Sequence, residues 1–415
     1  MTGATSAHAW RGAIRWLLVI QALSMGAMEM TGPFWPLFLR DLTPIPHVPF
    51  AWVASAAYFA PMAATLLTAP WWGRLADRTG AKPMILRALV ALAASQLWTA
   101  YADSAASVLL ARTVQGGLAG FLAAAQIYAM RVAPADARRR VFADLQTVTA
   151  CGSLMAPPIG AWLVSSMGFR LTNTAGAVVI LACIPLAMLF LPSIKPAPRP
   201  ASAAPRSSTK AVAGTPLGGL VIGLLLGTVA VQAARIMPQG FLAPYVTETL
   251  HGSVMLAGLA YSATAATLAL SARWWAKRLS GLSTQSTLGR ICALTAACGL
   301  IALWQGYAQG EVGFIAARLA WGLCLGGLLP VLNSLVAEVS PQDRQGFVLG
   351  LCSSAAKGGA LIGLSVAAVS TGLFGWRAGF VAMAAVYGAA LLALLVVRRA
   401  ASPPGVSPVA QAQRA

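Results

Sequence analysis

Long apolar runs separated by short polar stretches dominate this sequence. A helix needs about 20 apolar residues to cross the hydrocarbon core of a bilayer. Twelve runs meet that requirement, at residues 14–38, 51–72, 84–101, 105–130, 142–164, 172–191, 217–246, 254–275, 288–305, 312–336, 347–371 and 378–397. This pattern predicts an all-α membrane protein with twelve transmembrane helices, which we number in chain order.

A stretch of different composition divides these runs six plus six. Residues 192–216 are rich in Pro, Ala and Ser and hold four basic and no acidic residues, which is typical of a linker. We therefore expect an N-terminal six-helix bundle at 1–191, a cytoplasmic linker at 192–216 and a C-terminal six-helix bundle at 217–400. The last residues, 401–415, are expected to form a disordered cytoplasmic tail.

The two halves carry the same residue types in the same order, at a spacing that drifts from 203 to 207 residues. The clearest pairs are Trp71-Trp72 with Trp274-Trp275, Arg87 with Arg290, Arg112 with Arg318, and Gly168-Phe169-Arg170 with Gly375-Trp376-Arg377. Small insertions in loops produce such a drift. Two parallel repeats around a central site are a known transporter plan, so we predict two pseudo-symmetric bundles.

Composition supports lipid as the solvent of this chain. Hydrophobic residues make up 58% of it and charged residues 9%, whereas soluble domains carry about 25% charged residues. The net charge of +19 is scattered between the apolar runs. It therefore indicates membrane topology rather than nucleic-acid binding.

Basic residues are distributed unequally between the two sides of the predicted bundle. The side that holds both termini carries 22 of them, and the opposite side carries only Arg40, Arg170 and Arg377. Because cytoplasmic loops are enriched in Lys and Arg, we expect both termini in the cytoplasm and a multi-pass protein of the inner membrane.

The residues that carry enzymatic or metal chemistry are scattered in this chain. Its six cysteines all fall inside apolar runs without a Cys-x-x-Cys pair, and its three histidines lie far apart, so we predict neither disulfides nor a metal site. No phosphate-binding loop and no nucleophile–base pair is recognisable. We therefore predict no enzymatic activity and no cofactor.

One acidic residue, Glu29, lies deep inside an apolar run. At 1.5 Å per residue it lies about 20 Å from the cytoplasmic start of helix 1, and Arg112 lies about 10 Å from the outer start of helix 4. In a core about 30 Å thick these depths coincide, and Tyr58 of helix 2 falls at the same level. We predict that Glu29 carries the coupling proton and forms a switchable ion pair with Arg112. A static structural pair is the alternative.

Polar and basic residues inside the other runs predict a substrate cavity. Those that we assign to it are Tyr58, Gln115, Gln232, Arg235, Arg318 and Lys357. One acid faces four bases inside the runs, so the cavity favours an anionic or zwitterionic substrate over a lipophilic cation. Structural packing of the bases, with their charged ends reaching toward the interface, is the alternative.

The loop between helices 2 and 3 reads GRLADRTGAK. It resembles the signature loop of the major facilitator superfamily, and the matching residues are Gly73, Asp77, Arg78, Gly80 and Lys82. The resemblance implies that this loop is a conformational latch in which Asp77 rests against a helix N-terminus, where the helix dipole favours an anion. The equivalent loop of the second half, WWAKRLSG, lacks the aspartate.

Helix 5 carries Gly152-x-x-x-Ala156-Pro157-x-x-Gly160-Ala161. This is similar to the antiporter motif of the same superfamily, with alanine in place of glycine at 156 and 161. Small residues four apart allow tight helix packing, and Pro157 bends the helix. Together with Arg112-x-x-Gln115-Gly116 in helix 4, this motif makes the chain resemble the twelve-helix drug:proton antiporter branch.

That resemblance implies a proton-driven exporter that works by alternating access. Its substrate is expected to be a small polar metabolite, such as a siderophore, or a drug, and its partners are protons and the lipid bilayer around a monomer. A proton-coupled importer of an organic acid or a sugar with the same fold is the first alternative. A membrane scaffold or sensor without transport is the second, although a scaffold has no need of an acid at the depth of Glu29.

Overall fold

The computed structural model describes residues 3–118, 120–134, 136–193, 219–279, 281–338 and 345–400. Within these ranges the side chains of residues 3–9, 77, 139, 337, 345–347 and 349 are not described. All but the first two residues of the predicted linker, and the whole of the predicted tail at 401–415, lie outside the described residues.

Helices make up nearly all of the described chain. The α-helices are Gly3–Glu29, Trp35–Arg40, Phe50–Thr79, Ala81–Ala100, Ala105–Leu118, Phe121–Val132, Arg138–Phe190, Gly219–Ile236, Leu242–Pro244, Val254–Leu279, Thr284–Tyr307, Gly310–Leu325, Leu329–Glu338, Gln345–Phe374 and Trp376–Ala400. Short 3-10 helices lie at Gly32–Phe34 and Met237–Gly240, and a π-helix lies at Tyr245–Thr249. The described residues form no strand, and their one isolated β-bridge joins Thr43 to Ser104.

Eleven ranges of the described chain are long and apolar enough to cross a membrane. One of them, Arg140–Phe190, has 51 residues and is broken at Gly168, where φ is 81° and ψ is 166°. Each side of that break is long enough for one crossing, so the predicted fold with twelve transmembrane helices is confirmed. The crossings, called spans 1 to 12, are Trp10–Arg40, Phe50–Ala76, Ala81–Ala100, Ala105–Val132, 140–167, 169–190, Gly219–Gly240, Val254–Leu279, Thr284–Tyr307, Gly310–Val336, Gly350–Phe374 and Trp376–Ala400.

Large apolar side chains cover the outside of these helices. Leu67, Leu270 and Phe374 are 80%, 79% and 77% exposed. Exposure of so much apolar surface to water is unfavourable, whereas exposure to lipid is not. In lipid, the backbone N–H and C=O groups must be hydrogen-bonded within helices. The surface therefore agrees with a bilayer around the spans.

Span 1 is not one continuous helix. Its α-helix ends at Glu29, the 3-10 turn Gly32–Phe34 follows, and the α-helix resumes at Trp35. Pro33 and Pro36 have no N–H to continue the helical hydrogen bonds, so the carbonyl oxygens of Glu29 and Gly32, four residues earlier, lose their helical donors inside the membrane. Tyr58 of span 2 satisfies one of them, because its hydroxyl donates to the carbonyl of Gly32 at 2.8 Å.

Span 7 repeats this break. Its α-helix ends at Ile236 and the 3-10 turn Met237–Gly240 follows. The hydroxyl of Tyr261 donates to the carbonyl of Pro238 at 3.2 Å, and Tyr261 lies 203 residues after Tyr58. The repeated sequence therefore forms a repeated structure, in which a tyrosine from the next span supports each broken helix.

A second pair of contacts follows the same repeat. The indole N–H of Trp72 donates to the carbonyl of Gly117 at 2.6 Å, and that of Trp275 donates to the carbonyl of Leu323 at 2.8 Å. Each bond joins the second span of its half to the fourth. The predicted pseudo-symmetry is therefore present in the hydrogen bonds as well as in the residue types.

The chain forms two compact units. Unit 1 is Met1–Ser202, Pro238–Ala265 and Ala367–Arg377, and unit 2 is Ala203–Met237, Ala266–Val366 and Ala378–Ala415. Unit 1 thus combines the first six spans with the ends of spans 7, 8 and 11 that lie opposite the N-terminus, a side that we call distal. The division into bundles at 1–191 and 217–400 stays a prediction.

The core of unit 1 forms where spans 1, 3, 4 and 6 meet. Leu17, Leu89, Tyr128 and Cys183, one from each of these spans, are completely buried there. The core of unit 2 contains an edge-to-face pair between Phe314 and Phe380, with ring centres 6.3 Å apart. These apolar contacts fix the faces that each helix turns inward.

Glycine allows one very close helix crossing in unit 1. A Cβ atom on Gly160 would lie 1.8 Å from the carbonyl oxygen of Met30, whereas one on Gly152 would lie 4.0 Å from its nearest neighbour, the amide nitrogen of Gly26. Span 5 therefore needs glycine at position 160 to reach the break in span 1, and position 152 has room for a methyl group.

We predict that Gly160→Ala destabilises the protein while Gly152→Ala does not. Overpacking of a tight contact costs about 1–3 kcal/mol, and the alanine at 160 would collide with backbone, which cannot rotate away. The measurement is the thermal unfolding midpoint of the purified variants in detergent. Equal midpoints for the two variants would contradict the close crossing at Gly160.

Candidate functional site

Glu29 lies at the break in span 1, with its side chain exposed. The buried residues Leu17, Ile20 and Ser24 occupy the opposite face of the same helix, as the rotation of about 100° per residue requires. Its carboxylate lies over the 3-10 turn, since a Cβ atom on Gly32 would be 3.4 Å from Oε2 of Glu29. The acid therefore faces open space at membrane depth.

Arg112 of span 4 is half-buried and firmly held. Its Nε donates to the carbonyl of Ala57 at 3.1 Å, and its Nη1 donates to Oε1 of Gln115. Its guanidinium carbon lies 4.8 Å from the ring centre of Trp35, a geometry in which the ring face attracts the cation. Three neighbours from spans 1, 2 and 4 therefore fix the position of the charge.

Glu29 and Arg112 are close enough to interact electrostatically, and Tyr58 lies near both. Among the described residues, however, no Glu29 oxygen lies within 4.0 Å of an Arg112 nitrogen, the distance that defines an ion pair. The structure thus brings the predicted coupling residues near one another in unit 1 without an ion-pair contact, and their role as a switchable pair stays a prediction.

Arg318 of unit 2, the repeat counterpart of Arg112, has different surroundings. Its side chain is only 2% exposed, its Nη1 donates to Oε1 of Gln305 at 3.2 Å, and its guanidinium lies 4.8 Å from the ring centre of Trp321. The two arginines share the aromatic contact. Arg318, however, lies in the core of unit 2 and does not reach open space in this conformation.

The other predicted cavity residues of the second half lie at the surface of unit 2 or close to it. Gln232 and Arg235 are half-buried, and Nη1 of Arg235 lies 3.4 Å from Oε1 of Gln232. Lys357 of span 11 is exposed, and no hydrogen bond or ion pair to it is found among the described residues. Lys357 therefore has a charge available at membrane depth.

Two glycines of the predicted latch loop differ in what they require. Gly80 has a φ of 92° and ends the helix Phe50–Thr79, which is a conformation that glycine adopts easily. Gly73 lies within that helix, and a Cβ atom there would meet nothing within 4 Å. Arg78 is exposed. Only Gly80 therefore has a backbone conformation that favours glycine.

Lys82 begins span 3 and contacts span 6, since its Nζ donates to the carbonyl of Met188 at 2.8 Å. The side chain of Asp77 lies outside the described residues. The latch role of Asp77 therefore stays a prediction.

Span 5 borders an apolar cavity of about 430 Å³ in unit 1. The cavity lies between spans 1 and 5, with Gly26 and Met30 on one wall and Gly152 and Met155 on the other. Pro157 lies elsewhere on span 5, where its carbonyl oxygen would be 2.8 Å from a Cβ atom on Gly258. The predicted antiporter motif thus packs against both span 1 and span 8.

Trp35 and the carbonyl of Ala57 are partners of Arg112 that sequence reasoning missed. Trp35 directly follows the Pro33-Phe34 break, which is a signal for an unusual helix position. Which side chain it meets depends on how spans 1 and 4 are rotated, and the sequence pattern does not specify that rotation.

Twelve spans in two repeats, broken helices and an intramembrane acid near an arginine define a secondary transporter. Residues 17–308 and 224–415 match the family model described as Major Facilitator Superfamily. The chain belongs to the major facilitator superfamily, and the resemblance found in its motifs is confirmed.

The chain is similar to transporters over most of their length. The chain is 26% identical over 396 residues to the staphyloferrin B transporter of Staphylococcus aureus, covering 93% of each chain. It is 25% identical over 362 residues to the multidrug resistance protein MdtG of Dickeya zeae, covering 87% of this chain and 88% of the relative. The crystal structure of the nucleoside transporter NupG has the same fold, with a TM-score of 0.72 at 14% identity over 92% of this chain and 99% of that one.

We predict that Arg112→Lys reduces transport at least tenfold. A lysine keeps the charge but cannot keep two directed bonds and a flat contact with Trp35, and loss of about 1.4 kcal/mol is already tenfold. The measurement is transport into inverted membrane vesicles. Arg170→Lys is the matched control, because Arg170 forms an exposed pair with Asp103 at 3.3 Å and such pairs contribute little. Equal rates for both variants would show that the geometry around Arg112 is unimportant.

Proposed function

We propose that this protein is a proton-driven exporter of a small carboxylated or zwitterionic metabolite, with a siderophore as the leading candidate. The observation that carries the proposal is Glu29, an exposed carboxylate deep in span 1 that lies near Arg112 without an ion-pair contact. Membership in the major facilitator superfamily supports transport by alternating access. Both termini are proposed to face the cytoplasm.

The proton step follows from the cost of charge in a membrane. A carboxylate in contact with a guanidinium can stay ionised, whereas one that has lost this contact is stabilised by taking up a proton. Arg112 has alternative partners in Ala57, Gln115 and Trp35. Movement of Glu29 toward or away from Arg112 would therefore release or load the proton as the protein changes conformation.

The charge of the substrate follows from Lys357, for which no acidic partner is found among the described residues. Lys357 is exposed in span 11, and the second half has no acid deep in its spans. An ammonium at that depth costs about 2.5–3.5 kcal/mol unless it is paired or hydrated, and a substrate carboxylate would supply the pairing. The similarity to a staphyloferrin B transporter supports a siderophore as that substrate.

A multidrug exporter is the second candidate. The apolar cavity of about 430 Å³ between spans 1 and 5 favours it, because pockets lined by apolar side chains accept lipophilic molecules of many shapes. The similarity to a multidrug resistance protein supports the same reading. The two candidates differ in the charge of the substrate that they prefer.

Glu29→Gln is predicted to abolish proton-driven transport while the protein still inserts and folds. Glutamine has the shape of a protonated glutamate but cannot release a proton. The assay is uphill uptake into inverted vesicles driven by a pH gradient, with Asp103→Asn as a control that removes an exposed acid away from the spans. Wild-type uptake by Glu29→Gln would exclude Glu29 as the proton carrier.

Lys357→Ala is predicted to weaken the binding of a carboxylated substrate at least tenfold. The reason is the loss of its charge-assisted contact, worth about 1.5–3 kcal/mol. Binding is measured for a siderophore carboxylate and for its methyl ester, with Lys277→Ala as a control at the exposed end of span 8. If the wild type bound acid and ester equally, or preferred a cationic dye, the multidrug candidate would be favoured.

A further inference from the structure

Four side chains form a closed ring of contacts on the distal side of unit 1. Nη1 of Arg40 forms an ion pair with Oε1 of Glu248, and the indole N–H of Trp376 donates to Oε2 of Glu248 at 2.8 Å. The ring of Phe50 lies edge-on to Trp376 at 6.2 Å, and the guanidinium carbon of Arg40 lies 5.0 Å from the centre of Phe50. Each member therefore touches two others.

The members of this ring come from both halves of the sequence. Arg40 ends span 1 and Phe50 begins span 2, whereas Glu248 lies between spans 7 and 8 and Trp376 begins span 12. A further distal ion pair among the described residues, Arg170 with Asp103, joins the start of span 6 to the loop between spans 3 and 4, both in the first half. The ring is thus a distal contact that links the two repeats.

The backbones behind this ring are also close together. A Cβ atom on Gly240 of span 7 would lie 2.7 Å from Oγ of Ser55, and one on Gly372 of span 11 would lie 3.1 Å from Nε1 of Trp52. Both partners belong to span 2. Glycine at these positions lets the distal ends of spans 7 and 11 rest directly on span 2, so the ring closes a contact that is already tight.

We propose that Arg40, Glu248, Trp376 and Phe50 form a distal latch that holds the outer side of the transporter closed and opens once in each cycle. The inference rests on the proposed transport by alternating access, which requires distal ends of the two repeats to separate. It does not depend on Glu29 or on the coupling ion. The side chains of Arg40 and Glu248 are 47% and 29% exposed, and the partial exposure keeps the ion pair weak enough to break.

The latch also complements the loop at residues 73–82. That loop is predicted to act on the side of the N-terminus, and the ring of Arg40 and Glu248 lies on the opposite side. The loop would stabilise the state that is closed on the side of the N-terminus. The ring would stabilise the state that is closed on the distal side.

The test is the labelling rate of Ser55→Cys by a membrane-impermeant maleimide, added to intact cells. Ser55 is 3% exposed and lies against Gly240 behind the latch. We expect slow labelling with the latch intact and labelling at least threefold faster when Glu248→Gln or Arg40→Gln is added. Asp103→Asn should leave the rate unchanged, because its ion pair lies within one repeat.

Two controls accompany this test. Labelling of Val48→Cys, at an exposed position in the distal loop, reports whether each variant is folded with this side outward. Labelling of the protein without Ser55→Cys measures the background from the native cysteines. Labelling that stays slow in both latch variants, or that rises equally in Asp103→Asn, would overturn the latch. Neither result depends on proton coupling, so a failure of the Glu29 assignment would be seen separately.

Discussion

The cost of an ionised carboxylate inside the hydrocarbon layer is the constraint on which the site in unit 1 depends. An uncompensated charge at that depth costs about 2.5–3.5 kcal/mol or more. Glu29 therefore stands where span 1 is broken, on the exposed face of the helix, within electrostatic reach of Arg112. Tyr58 satisfies a carbonyl freed by the break, and Gly160 lets span 5 pack against it. These features together make a membrane-embedded acid tolerable without fixing it in a permanent ion pair.

The two repeats share a framework and differ in chemistry. Tyr58 and Tyr261 support the breaks of spans 1 and 7 in the same way. At the repeat spacing of 203 residues, however, Gln232 stands in place of Glu29. The first half thus carries the acid, and the second half carries Arg235, Arg318 and Lys357. In the proposed mechanism this asymmetry separates proton coupling from recognition of a substrate anion.

Span number, helix class and family could be predicted from the sequence because apolar length and repeated motifs determine them directly. The shared depth of Glu29, Tyr58 and Arg112 was predictable for the same reason, since depth is the rise per residue multiplied by position. Contacts that depend on helix rotation were not. The repeat predicts the same role for Arg318 as for Arg112, but in the structure Arg318 is buried against Gln305 and Trp321. The ring of Arg40 and Glu248 joins residues 208 positions apart, and periodicity carries no signal for such a pair.

In the proposed mechanism, the carboxyl group of Glu29 changes its protonation state during each transport cycle. Infrared difference spectroscopy of the purified protein, between acidic and alkaline buffers, observes protonated carboxyl groups directly. We expect a carboxyl band in the wild-type difference spectrum that Glu29→Gln removes and Asp103→Asn leaves in place. A difference spectrum of Glu29→Gln identical to that of the wild type would contradict this mechanism.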